Sequence, residues 1–147
     1  MSTCGMMMSR SLYEQMGGWP EALGIYGGGE HFMNFVGAVI GVKKFIVPNV
    51  TLHHHGDKRG YHWNYTDYTS NRAIANYLFG GQEYLDRYLA NRKGRPQVLA
   101  QIRDNVLKSC AAHRDLIARQ AMCTIDEWLD KWNPTPSESI SQNSSAG

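Results

Sequence analysis

The chain predicts an α/β fold with a helical C-terminal extension, and three observations carry that expectation. Short apolar runs at residues 4 to 8, Lys44 to Val47 and Val50 to His54 have the length of strands, the last two separated by the turn signal Pro48-Asn49. Phe32, Phe35, Val36, Val39 and Ile40 repeat at i, i+3, i+4, i+7 and i+8, the stripe of a core-facing helix. Past Tyr61 the apolar residues keep helical spacing until the composition turns polar near residue 134.

Taken in order, the run at 4 to 8 reads as a buried strand, and Ser9 is placed to cap a short helix through Met16 that Gly17-Gly18 stops. The helix carrying Phe32 to Ile40 ends at Gly41. Asp57 to Tyr61 is polar, carries Gly60 and reads as a loop. Tyr68, Arg72, Ala75 and Phe79 then share one helix face, Gly80-Gly81 break it, and Tyr84, Leu85, Tyr88 and Leu89 resume it. Pro96 suits a first helical turn ahead of Leu99, Ile102, Val106 and Cys110. Thr124 to Glu127 has the spacing of a capping box before Trp128, Leu129 and Trp132. The last residues, rich in Ser, Asn and Gln, bury too little to offset their ordering entropy, so a disordered tail is expected over 134–147.

With 147 residues, 42% of them hydrophobic, the chain can bury one sizeable core. Fifteen Lys and Arg against thirteen Asp and Glu leave a net charge of +2, too even a balance for a nucleic-acid binder. The basic residues from Arg87 to Arg103 read first as a solvated helix face. Cys4, Cys110 and Cys123 form no CxxC pair and leave one thiol over in any pairing, which points to a cytoplasmic setting. No apolar run is long enough for a membrane span, and no signal segment opens the chain.

Two clusters stand out as chemistry. In Tyr26-Gly27-Gly28-Gly29-Glu30-His31, glycines without side chains at a helix start let a ligand approach the backbone, and Glu30 follows as a carboxylate. Glu30 is either a base or acceptor contact, or a partner for the helix dipole. In His53-His54-His55, strand alternation sends His54 to the face opposite its neighbours, so one metal ligand is realistic; the other reading is a solvated strand end. Trp19 and Tyr26 are either stacking surfaces for a sugar or core rim. Arg10, Lys58 and Arg59 are either phosphate contacts or surface charges.

These segments, with Cys4-Gly5-Met6-Met7-Met8-Ser9-Arg10 and Met16-Gly17-Gly18-Trp19-Pro20, together resemble the C-terminal half of a GT-A fold nucleotide-sugar glycosyltransferase. The likeness is to the family 2 type and its polypeptide N-acetylgalactosaminyltransferase relatives, over roughly residues 3 to 65. It implies transfer of a sugar from a nucleotide-diphosphate donor to an acceptor whose identity it leaves open. In that family a Gly-Gly-Glu-Asp or Gly-Gly-Glu-Asn segment supplies acceptor contacts, and in inverting members the base, commonly the acidic residue after the Glu. Glu30 and His31 occupy those positions here, so the base assignment stays open between them. Gly28, Gly29, Trp19 and Tyr26 would line the acceptor subsite, and Arg59, in the loop after the proposed metal ligand, would reach the diphosphate. A histidine after the last core strand joins an Asp-x-Asp pair on manganese or magnesium in such enzymes, and the step of six residues from Pro48 favours His54.

This chain contains no Asp-x-Asp and no N-terminal nucleotide-binding strand-helix-strand unit. The expected layout is therefore an acceptor-side half domain at 1–63, a helical extension at 64–133 and the tail at 134–147. Three explanations stay open: a fragment of a longer product, a subunit completed by a second chain carrying the Asp-x-Asp half, or a remnant serving as a non-catalytic interaction domain.

Overall fold

The computed structural model describes residues 5–53 and 60–132. Among them every regular element is helical: α1 Arg10–Gln15, α2 Gly29–His31, a π-helical turn Phe32–Val36, α3 Gly37–Val39, α4 Tyr65–Ala90, α5 Pro96–Ser109, α6 Ala111–Gln120 and α7 Ile125–Trp132. The α/β expectation, and with it the GT-A sheet, is overturned, because the described residues contain no strand.

The reason lies in where hydrogen bonds come from. A helix satisfies its backbone within itself, whereas a strand needs a neighbouring ladder, and none of the described residues supplies one. Lys44 to Val47 and Val50 to Leu52 instead follow an irregular course, with Phe45 79% and Ile46 90% exposed. The run at 5 to 8 keeps a strand-like alternation without the ladder: Met6 and Met8 pack on the core while Met7 faces out.

The helix ends follow local chemistry. Ser9 Oγ accepts from the Leu12 N–H at 3.2 Å to start α1. The Gly18 N–H reaches the Tyr13 carbonyl and the Gly17 N–H the Glu14 carbonyl, both glycines having positive φ. The same paired closure ends α3, where Val42 N–H meets the Gly37 carbonyl and Gly41, at φ 76°, donates to Ala38. Asn64 and Asp67 form a reciprocal capping box at the start of α4, and Thr124 and Glu127 form one ahead of α7. Gly81, at φ 73° and ψ −163°, breaks α4 into two helical stretches, as the Gly80-Gly81 pair predicts.

α4 is the spine, packing against α5, α6, α2 and the π-helical turn. The core draws on both sides of the 63/64 boundary: Phe32, Val36 and Val39 meet Leu78, Leu85, Val106, Ile117 and Ile125 in one apolar cluster. Long-range polar ties close it further. His113 Nε2 donates to the Met16 carbonyl at 2.7 Å, Arg114 to the Leu78 carbonyl at 2.9 Å, and Met122 N–H to the Val39 carbonyl at 2.9 Å. The expected disordered tail lies outside the described residues. No helix among the described residues is long and apolar enough to cross a membrane.

Candidate functional site around the glycine turn

The glycine turn is pinned by α4. Asn71, nearly fully buried, donates to the Tyr26 carbonyl at 2.6 Å and accepts from the Gly24 N–H at 2.9 Å, which satisfies its amide inside the protein. Gly27 and Gly28 both sit in the left-handed region, at φ 87° and 79°. A Cβ on Gly28 would run into the Asn71 carbonyl, so the close neighbour there is the α4 backbone. At Gly29 the close neighbour is Trp19, whose ring edge would lie 2.9 Å from an added Cβ. Trp19 also meets Phe32 edge to face and donates from Nε1 to the Leu23 carbonyl at 3.3 Å.

Around Tyr26 the chain gathers three aromatic rings. Trp63 lies 4.3 Å from the Tyr26 ring, centroid to centroid, with Tyr68 at 5.8 Å and Tyr61 at 6.4 Å. Trp63 stays 43% exposed, so this is a surface platform and not core. Tyr61, Trp63 and Tyr68 were not singled out by motif, although the spacing of Tyr61 and Trp63 after a glycine is visible in the sequence.

Glu30 and His31 begin α2 and face a second feature, an open cavity of about 770 Å³ lined by Glu30, His31, Asn34, Lys44, Phe45 and Trp128 among others. The π-helical turn shapes its wall. Asn34 donates from its amide to the Glu30 carbonyl at 2.7 Å, and its own carbonyl receives Lys44 Nζ at 2.7 Å. Burial lowers the Lys44 pKa. Burial, and then the Arg72 cation, lower that of His31 against the opposing pull of Glu30.

His31 Nε2 lies 3.2 Å from the Arg72 guanidinium. A guanidinium only donates, so that lone pair is engaged, whereas the Glu30 side chain is exposed. The structure thus brings Glu30 and His31 to one cavity, while Trp19, Tyr26, Gly28 and Gly29 belong to the glycine turn that precedes it in sequence and are not among its lining residues. His54 and Arg59 lie outside the described residues.

A metal finds little to bind in what is described. No group of three His, Cys, Asp or Glu side chains is placed for one among the described residues. At the cavity itself the one imidazole is held by a cation, and Lys44 adds a second positive charge, so this donor set does not fit manganese or magnesium. No protein-family model, curated protein or solved structure matches the chain.

Proposed function

We propose that the chain is the acceptor-side part of a glycosyltransferase, binding the acceptor saccharide on the aromatic platform and presenting its hydroxyl to Glu30. The observation that carries this reading is the cluster of half-buried Tyr26 with exposed Tyr61 and Trp63, beside a glycine turn that runs directly into a carboxylate. Flat aromatic faces stack on the apolar faces of sugar rings, and a carboxylate can take the proton of the attacking hydroxyl. Trp19, over Gly29, would extend the stacking surface towards Glu30.

The nucleotide-diphosphate donor and its manganese or magnesium belong to a donor-side part carrying the Asp-x-Asp, with His54 and Arg59 contributing from this chain. The exposed apolar stretch from Phe45 to Leu52 supports completion by another polypeptide surface. A cytoplasmic setting accords with Cys110 and Cys123 being free thiols, Cys110 buried.

The test is an oligosaccharide array probed with the 147-residue chain, followed by tryptophan fluorescence titration of the best ligand. Binding that falls about tenfold or more in Trp63→Ala supports the reading. Absence of binding to every saccharide, or equal binding by Trp63→Ala, overturns it.

A further inference from the structure

A second cavity, of about 330 Å³, opens where α2, the π-helical turn, α4 and α7 meet. Its polar lining is one-sided: Arg72, Arg92, His31, Asn76, Tyr84 and Tyr88, with no carboxylate among the described lining residues. Phe79 and Leu129 supply apolar walls. Two guanidiniums on one small cavity repel each other and hold a positive potential there.

The local partners are already committed elsewhere. Asn76 gives its amide to the Arg72 carbonyl at 2.8 Å, and Arg72 spends one N–H on His31. Asp126, the carboxylate beside Ile125, takes the Tyr84 hydroxyl and sits 3.9 Å from Arg87. That leaves two buried polar atoms, Tyr88 Oη and Arg92 Nε, with no hydrogen-bond partner among the described residues. Arg92 lies over the Tyr88 ring, its guanidinium carbon 4.6 Å from the ring centroid. Buried donors left unsatisfied are costly, and an ionised oxygen acceptor is the group that relieves such donors most strongly.

We propose that this cavity binds the oxyanion of a ligand, a carboxylate or a phosphate, through the guanidinium groups of Arg92 and Arg72, with a side-chain shift that opens the sealed Arg92 Nε and Tyr88 hydroxyl to it. The cavity shares His31 with the larger one that holds Glu30. On the sugar-transfer reading, on which only the identity of the carrier rests, the acceptor is an acidic saccharide whose charged group is read here.

The experiment is calorimetric titration of the full chain at low ionic strength with sodium glucuronate, inorganic phosphate and neutral methyl glucoside. At least one oxyanion binds and the glucoside does not. Arg92→Gln weakens oxyanion binding about tenfold or more, whereas Arg119→Gln, an exposed change of the same charge on α6, leaves it unchanged. Tyr88→Phe removes a buried hydroxyl without a partner, so the ligand-free chain melts no lower than wild type while the oxyanion raises its melting temperature less. Tighter glucuronate identifies a uronic acid, and tighter phosphate a phosphorylated ligand. Failure of both oxyanions to bind, or equal weakening by Arg119→Gln and Arg92→Gln, overturns the proposal. Neither result alters the Trp63 dependence of neutral glycan binding, so the two readings fail separately.

Discussion

Arg72 donates to His31 Nε2 at 3.2 Å across forty-one positions of sequence, and this one contact sets the state of the imidazole. Since the guanidinium has no lone pair, Nε2 must accept and the ring proton resides on Nδ1. Burial first, and then the Arg72 cation, favour the neutral imidazole and lower its pKa, against the opposing pull of Glu30.

A pH dependence of stability follows from that burial and contact. With the folded pKa below the ordinary 6.5, the unfolded chain takes up a proton first as pH falls. Stability conferred by neutral His31 is fully present above about pH 6.5 and declines as pH drops from there through the folded value. His31→Gln keeps an acceptor for Arg72 and does not titrate, so urea midpoints measured between pH 5 and 8, the usual range of a histidine switch, should show a shallower slope in the variant. An unchanged slope would assign the acid sensitivity to other groups.

Glu30→Gln bears on the proposed chemistry. In enzyme completed with a donor-side part, removal of a base should lower kcat by about 10²-fold or more while donor affinity stays near wild type. Saccharide binding by the chain alone should survive the change, since stacking on Trp63 does not need the carboxylate. Wild-type turnover would return Glu30 to complementing the α2 dipole.

Two glycines nine residues apart should respond with opposite signs. Gly28→Ala places a side chain at φ 79° against the Asn71 carbonyl and should destabilise by about 2 kcal/mol or more. Gly37, at φ −56°, has ordinary contacts for a Cβ, the nearest at 3.6 Å, so Gly37→Ala should stabilise by about 0.5–1 kcal/mol. Denaturant midpoints of the two variants decide it.

Leu78 tests the common core. It is fully buried on α4, in the same apolar cluster as Phe32, Val36 and Ile117. Leu78→Ala should therefore cost about 2–5 kcal/mol in a single cooperative transition. Two separated transitions in the wild type would mean that residues before and after α4's start fold independently.

By itself the sequence determined the features whose partners lie within one or two helical turns. Ser9, the closing glycines at 17, 18 and 41, the break at Gly81 and the Thr124 capping box were all legible, because each is a hydrogen bond or a backbone angle decided over about six residues. The apolar runs at 44–47 and 50–52 were misread as strands, since strand length and hydrophobicity mark only a capacity for pairing and say nothing about whether a ladder is present. Tertiary structure alone decided that Trp63 stacks on Tyr26, that Lys44 supports the π-helical turn at Asn34, and that Arg72 holds His31 while Arg92 and Tyr88 keep buried donors unsatisfied. Those contacts depend on how α4 lies across the glycine turn, and that placement is set by burial of the shared core, a sum over many distant side chains that no local pattern encodes.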